Sequence, residues 1–347
     1  MRVGAIGESF MERLGLVSGV VPTPFVDSWA TFIFARTVMV AVRIGLFEAL
    51  EGGPLEAPDV AQRCGTDVRG TTKLLGALAA SGYVDLSGTR FALSALARKW
   101  LLASSPQSLR DVILLRFVDW EWLGELERFV RTGAPVDMHA RMSKEQWGIY
   151  QRGMRALART SAAEVIQRTP VPKGATALLD VGGSHGLYSV AFCRQYPALR
   201  ATVLDLPEAV AEAAPLLAEE RIGDRVVHRV GNAITDDLGT SAYDLVLFSQ
   251  VVHLFRAEVC HDLVRRAARA LRPGGHVVIF DIIRPPSPTA SGQGAALMDL
   301  YFALVSESGT WSFEEMASWQ RDAGLAAKKP IRLMKLPGLG IQVGVKP

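Results

Sequence analysis

Apolar positions recur at helical spacing through the first part of the chain, then give way to short apolar runs alternating with helical patterns. From residue 24 to 51, Phe32, Ala35, Val38, Val42 and Leu46 follow the step of one helix face, which closes at Gly52-Gly53. Shorter helical patterns cover 57–64 and 69–81, the second with Leu74, Leu75, Leu78 and Ala79 on one side. Residues 83–86 and 90–93 read as the strands of a hairpin that turns at Ser87-Gly88. Three helices followed by a hairpin outline a winged helix. Residues 110–169 are mostly helical, with a long segment at 143–168, and Pro170, Pro172 and Gly174 end the pattern.

Beyond that boundary the period changes. Strands are predicted at 175–181, 201–205, 226–230, 243–249 and 276–282, with helices between them, notably 208–217 and 258–271. Such alternation specifies a doubly wound, mainly parallel α/β sheet with helices on both faces. Runs at 331–336 and 341–346 flank Pro337-Gly338-Leu339-Gly340 and read as a closing antiparallel hairpin. The expected domains are therefore a helical winged-helix region at 1–109, a helical linker at 110–169 and a Rossmann-like α/β domain at 170–347.

Composition narrows the class. Hydrophobic residues make up 49% and charged residues 21%, a globular balance with ample core for 347 residues. A formal charge of +3 argues against a polyanionic partner. Cys64, Cys193 and Cys260 lie far apart, which suggests neither a disulfide framework nor a metal site and fits a reducing cytoplasm. Glu8, Glu12 and Arg13 interrupt any signal-peptide core. The apolar run 29–42 is broken by Arg36 and is expected to be a buried or dimer-forming helix, too short to span a bilayer.

Candidate chemistry sits where strands end, since ligands of open α/β sheets bind outside the carboxyl ends of the strands. The first strand of the second half runs through Asp180 into Gly182, Gly183 and Gly186, a turn that lets a ligand approach bare backbone N–H groups. The second ends on Asp205, a carboxylate placed to take both hydroxyls of a ribose. The pair points to a nucleoside-containing cofactor. The spacing does not fit G-x-G-x-x-G, and no phosphate loop of the G-x-x-x-x-G-K type occurs. Asn232 follows the third strand and is a candidate for the adenine rim. His253 follows the fourth strand and Asp281 ends the fifth, a base with a carboxylate to orient it. Imidazole titrates near 6.5 and suits proton removal from a phenol of pKa near 10. His185 lies in the glycine turn, whereas His139, His228, His261 and His276 read as surface or packing residues.

The D-V-G-G-x-x-G form resembles motif I of S-adenosylmethionine (SAM) methyltransferases. Further signatures are Ile44-Gly45-Leu46-Phe47-Glu48-Ala49-Leu50, Leu204-Asp205-Leu206-Pro207, His253 and Leu271-Arg272-Pro273-Gly274-Gly275. Together they make the chain similar, over nearly its whole length, to metal-independent small-molecule O-methyltransferases with an N-terminal winged-helix dimerisation domain. The resemblance implies a cytoplasmic homodimer of secondary metabolism, including antibiotic biosynthesis, that needs no metal, nucleic acid or membrane. It implies SAM held by Asp180, Gly182, Gly183, Gly186, Asp205, Leu206, Asn232, Ala233 and Ser249. It makes His253 the general base with Asp281 in support. Plant-type members read H-D-W where this chain has His253-Leu254-Phe255, and G-D at Gly231-Asn232. The position of their second supporting glutamate falls on Thr310, or on Glu307 if the alignment slips.

Phe117, Trp120, Trp122, Met154, Met298, Phe302, Trp311 and Met316 fall where the family builds its acceptor pocket, which favours a flat aromatic or polyketide-like substrate. Of these, Trp120, Met154, Met298, Phe302 and Trp311 are taken as substrate-binding. Two rivals stand beside O-methylation. One is a C- or N-methyltransferase, or another SAM-using enzyme of the same fold. The other is a winged-helix regulator with a vestigial catalytic domain. Against the regulator, residues 1–110 hold 11 Lys or Arg against 9 Asp or Glu, and the wing has no basic residue before Arg90.

Overall fold

A computed structural model describes residues 4–287, 289 and 293–347. The chain divides into two compact units, Met1–Phe117 and Val118–Pro347. The division falls inside a helix, Arg110–Leu123, rather than at a linker. Most of the expected linker therefore belongs to the second unit.

In the first unit the helix expected at 24–51 is broken. Helical backbone runs from Thr23 to Arg43, with a π turn at Val26–Ala30, and resumes only over Leu46–Ala49. Gly45 takes φ +72° at the break, so the chain turns where only glycine does so without strain. The run of 21 residues is longer than the apolar stretch in the sequence. By length and composition the whole helix is long and apolar enough to cross a membrane, although the run 29–42 within it is too short to do so. Val38, Ala41 and Val42 are buried in one core with residues of the helices Ala57–Cys64 and Val68–Ala80, whereas Phe25, Trp29 and Ile33 are exposed. The hairpin Val84–Ser87 and Arg90–Leu93 forms as expected, and a short strand, Leu55–Glu56, joins it.

The second unit is an eight-stranded sheet. Numbered from the start of this unit, its strands are β1 (Ala177–Val181), β2 (Arg200–Asp205), β3 (Val226–Val230), β4 (Tyr243–Ser249), β5 (Leu271–Ile282), β6 (Ala326–Ala327), β7 (Ile331–Arg332) and β8 (Leu339–Val345). Its order is β7-β8-β5-β4-β1-β2-β3, with β6 also paired to β8. The strands β3, β2, β1, β4 and β5 run parallel, and β8 is antiparallel to β5. The chain moves outward from β1 to β3 and returns to β4 on the other side of β1. That reversal opens a crevice at the carboxyl ends of β1 and β4. The closing hairpin is more ragged than its apolar pattern suggests: β7 is two residues long, and β6 pairs with the far end of β8.

Alternation along the strands separates two cores. Leu178, Val203, Leu245, Leu247, Val278 and Phe280 face helices α1 (Lys144–Arg168) and α2 (Leu187–Gln195). Leu179, Leu204, Val246, Phe248, Val277 and Ile279 pack with α4 (Ala257–Ala270) and α6 (Phe313–Asp322) on the other side. Helix α3 (Pro207–Glu219) follows β2, and α5 (Gln293–Val305) follows β5. Ser143 caps α1 and Gln146 completes its capping box, which fixes the helix that overlies the crevice.

Candidate active site

The turn after β1 has no room for side chains. A Cβ on Gly182, at φ +67°, would lie 2.6 Å from Val251 Cγ2, and one on Gly183 would lie 2.5 Å from the Asp180 carboxyl carbon. Asp180 is thus sealed beneath its own turn. Ser189 donates to its Oδ2 at 2.7 Å, while Oδ1 has no partner. Burial pushes this carboxyl up to about 7; the Ser189 hydroxyl opposes the shift and the charge of Asp205 adds to it.

Asp205, at the end of β2, accepts Ser184 N–H on Oδ2 (2.7 Å) and Leu206 N–H on Oδ1 (2.8 Å). Burial raises its carboxyl above the usual range, against the pull of those two donors. Ser184 also donates from Oγ to Gln151 Oε1 on α1. Asn232 accepts Ile234 N–H at 2.9 Å, and the preceding Gly231 N–H donates to the Asp205 carbonyl, so the third strand end is tied to the second.

These pieces enclose one cavity. Gly182, Gly183, Asp205, Leu206, Asn232, Ala233, Ser249 and Met154 wall it; Asp180 and Gly186 stand behind the wall. Ser249 Oγ and Gln151 Nε2 are buried there without protein partners. The opposite side is aromatic. Trp147, Tyr150 and Met154 project at helical spacing from α1, and His139 stacks on Trp147 with ring centroids 5.3 Å apart. Burial pushes His139 down to about 4, so it is uncharged at neutral pH. His185, also in the wall, accepts Leu187 N–H on Nδ1 and is pushed by burial to about 3.

His253 lies in a single 3-10 turn, Val252–Leu254, just after β4. Its neighbours Val251, Leu254 and Phe255 line the cavity. Nδ1 donates to Asp281 Oδ1 at 2.7 Å, which leaves Nε2 with its lone pair. Asp281 is held in turn by Ile282 N–H at 2.7 Å and His253 N–H at 3.4 Å. Phe302 packs on the imidazole, centroids 3.9 Å apart.

Neither candidate for a second supporting carboxylate reaches this ring. Thr310 gives both N–H and hydroxyl to Asp299, and Glu307 pairs with Arg256. The segment acts on the main chain instead. Gly309 N–H donates to the His253 carbonyl at 3.4 Å, and Trp311 Nε1–H donates to the Val252 carbonyl at 3.0 Å. Ser306 Oγ shares its one proton between the His253 carbonyl (3.1 Å) and the nearer Phe302 carbonyl (2.7 Å).

The aromatic candidates therefore disperse. Met154 walls the cavity and Phe302 covers His253. Trp311 is committed to Val252 and edges onto Trp319. Met298 sits 36% exposed on α5, and it and Trp120 lie outside this wall. Trp122 and Met316 are buried core residues. Phe117 belongs to the first unit, between the guanidiniums of Arg36 and Arg43. His139, expected from the sequence to be a surface or packing residue, belongs to the wall, and so do Trp147, Tyr150, Gln151 and Ser184, which no sequence motif singles out. The spacing of Trp147, Tyr150 and Met154 on one helix face was a usable signal for three of the wall residues.

Two family models match the chain: an O-methyltransferase dimerisation domain over residues 26–104 and an O-methyltransferase domain over residues 129–325. The 3-hydroxy-5-methyl-1-naphthoate 3-O-methyltransferase of Streptomyces sahachiroi is 28% identical over 333 residues, covering 94% of this chain and 95% of its own. The L-tyrosine C(3)-methyltransferase of Streptomyces lavendulae is 26% identical over 289 residues, 78% of this chain and 76% of its own. Human N-acetylserotonin methyltransferase, solved in complex with SAM, shares the fold at a TM-score of 0.82 and 18% identity, over 99% of each chain. The catalytic-domain match takes in more than half of the sequence, and the chain belongs to the SAM-dependent O-methyltransferase family.

Proposed function

We propose that this enzyme methylates a hydroxyl of a small aromatic or polyketide-type acceptor, with His253 as general base. The observation that carries the reading is the 2.7 Å His253–Asp281 bond immediately beside the glycine-walled cavity.

The residues present fit SAM. The turn at Gly182 and Gly183 admits no side chain, and Ser249 and Gln151, both in the lining, each keep one buried polar atom without a hydrogen-bond partner. Asp205 would hold the ribose hydroxyls, with Leu206, Asn232 and Ala233 along the adenine; Asp180, beneath Gly183, and Gly186 would hold the turn in shape. When bound, SAM supplies a methyl group on an electrophilic sulfonium. Uncharged His139 and His185 add no positive charge to a cavity that would take this cation.

His253 takes the acceptor proton at Nε2. Asp281 keeps the imidazole in the Nδ1–H tautomer and stabilises the cation that forms. The clamps on the Val252 and His253 carbonyls hold the ring on a turn of only three residues. Trp147, Tyr150 and Met154 offer flat apolar surface to an aromatic acceptor. The naphthoate relative named above is a 3-O-methyltransferase and the tyrosine relative methylates carbon. Turnover with phenolic acceptors, with the product's methyl position assigned by NMR, tests the reading. Transfer to carbon or nitrogen, or full activity in His253→Ala, would sink it.

The partner of the exposed apolar side of Thr23–Arg43 is a second copy of this chain, in line with the dimerisation-domain match over 26–104. Light scattering is expected to return twice the chain mass. A monomeric mass refutes the assignment.

A further inference from the structure

We infer that His228 is a positioning residue for the cofactor, acting through Ser184 on Asp205. The inference rests on the reading of the cavity as the SAM site and adds to it a residue outside the wall. His228 lies on β3, two residues before its end and opposite Val203 in the register with β2. Its Nε2 is 2.9 Å from the carbonyl oxygen of Ser184. A carbonyl only accepts, so Nε2 carries the proton and the imidazole is the donor.

Ser184 is the unusual residue of the turn. It has φ +55°, left-handed backbone in which a residue with a side chain is uncommon. Each of its polar groups is tied to a different element. Its N–H goes to Asp205 at the end of β2, its hydroxyl to Gln151 on α1, and its carbonyl to His228 on β3. The N–H and the carbonyl belong to the two peptide planes that flank Ser184. Holding the carbonyl fixes one plane and thereby restrains the other, whose N–H points at Asp205. Without the His228 donor, a residue in a sparsely populated conformation loses one of its three anchors. The Asp205 carboxylate then loses the restraint that sets its orientation toward the ribose. No hydrogen bond of this relay runs to His253 or Asp281; it meets the α1 wall only through Gln151 and the charge of Asp205 near Tyr150. Its loss is felt in cofactor binding rather than in the transfer step.

The test measures calorimetric affinity for SAM and for its demethylated product, S-adenosylhomocysteine, with steady-state kinetics on the full chain. His228→Phe keeps the ring volume and removes the donor. It is expected to weaken both ligands roughly five- to tenfold, the range of one hydrogen bond. KM for SAM should rise in step, while kcat at saturating SAM and KM for the acceptor stay within about twofold. His228→Gln places an amide N–H near the Nε2 position and is expected to restore wild-type affinity. His228→Asn is too short to reach Ser184 and is expected to behave like Phe. The Gln and Asn pair keeps the test decisive if the Phe variant misfolds. Wild-type affinity in the Phe and Asn variants overturns the inference, as does equal loss in Gln and Asn. A fall in kcat with KM for SAM unchanged also overturns it. If the wild-type protein binds neither ligand, the SAM-site reading fails first and the inference falls with it.

Discussion

The two ends of the site handle buried carboxylates in opposite ways. Under the glycine turn, Asp180 and Asp205 accept only neutral donors, and burial raises both carboxyls. Across the crevice, Asp281 is almost wholly buried as well, but it is engaged by an imidazole and two backbone N–H groups. The first arrangement sets carboxyls whose ionisation burial opposes at and behind the wall of the cavity where a cationic cofactor is proposed to sit. The second uses its carboxylate to hold the His253 ring in one tautomer. The proposed chemistry, holding a cation and removing a proton, calls for both arrangements within one crevice.

The contrast breaks most sharply at the base. His253→Ala is expected to lower kcat by several hundred-fold or more, with SAM affinity unchanged by calorimetry. A loss of affinity of that size instead would move His253 into the cofactor site and erase the distinction. On the other side, Asp205→Ala is expected to weaken SAM by roughly 10- to 100-fold, the range for charged hydrogen bonds, with a much smaller effect on kcat at saturation. Unchanged KM for SAM would remove Asp205 from the cofactor site.

The smallest effect belongs to Asp180. Its carboxyl holds a proton up to about pH 7 when folded and releases it near pH 3.8 when unfolded. Between those values the folded state binds more protons than the unfolded chain, so this group's contribution to stability falls as pH rises. Asp180→Asn cannot ionise and escapes that loss. Its melting temperature should match the wild type only near or below pH 3.8, lie slightly above it at pH 5 and exceed it by a few degrees at pH 8. A gap that shrinks toward high pH would mean that the buried carboxylate is stabilised as an anion.

Much of this site was legible in the sequence because its parts close over short stretches of chain. Asp180, Gly182 and Gly183 form one turn, and Asp205 and Asp281 end apolar runs, so strand periodicity alone places them at the same edge of the sheet. The aromatic wall was less legible. Met154 could be singled out, but Trp311 was assigned to the pocket although its indole N–H is bonded to Val252 and its ring packs on Trp319. An indole that fills a core and one that lines a cavity look alike in a sequence.

His228 and Gln151 show the same limit from the other side. Their partner, Ser184, lies 44 residues before one and 33 after the other. No periodicity connects them. The alternation of strands and helices, the glycine turn and the placing of a histidine and a carboxylate at strand ends follow from the sequence by itself, because backbone sterics and alternating burial act locally along the chain. The spatial order of the strands and the bond between those two side chains do not follow from it. Which aromatic side chains face the cavity, which polar atoms are left without partners, and which histidine holds the turn were decided only by tertiary structure. Those properties depend on what packs across a gap, and a side chain's own neighbours in sequence do not determine that.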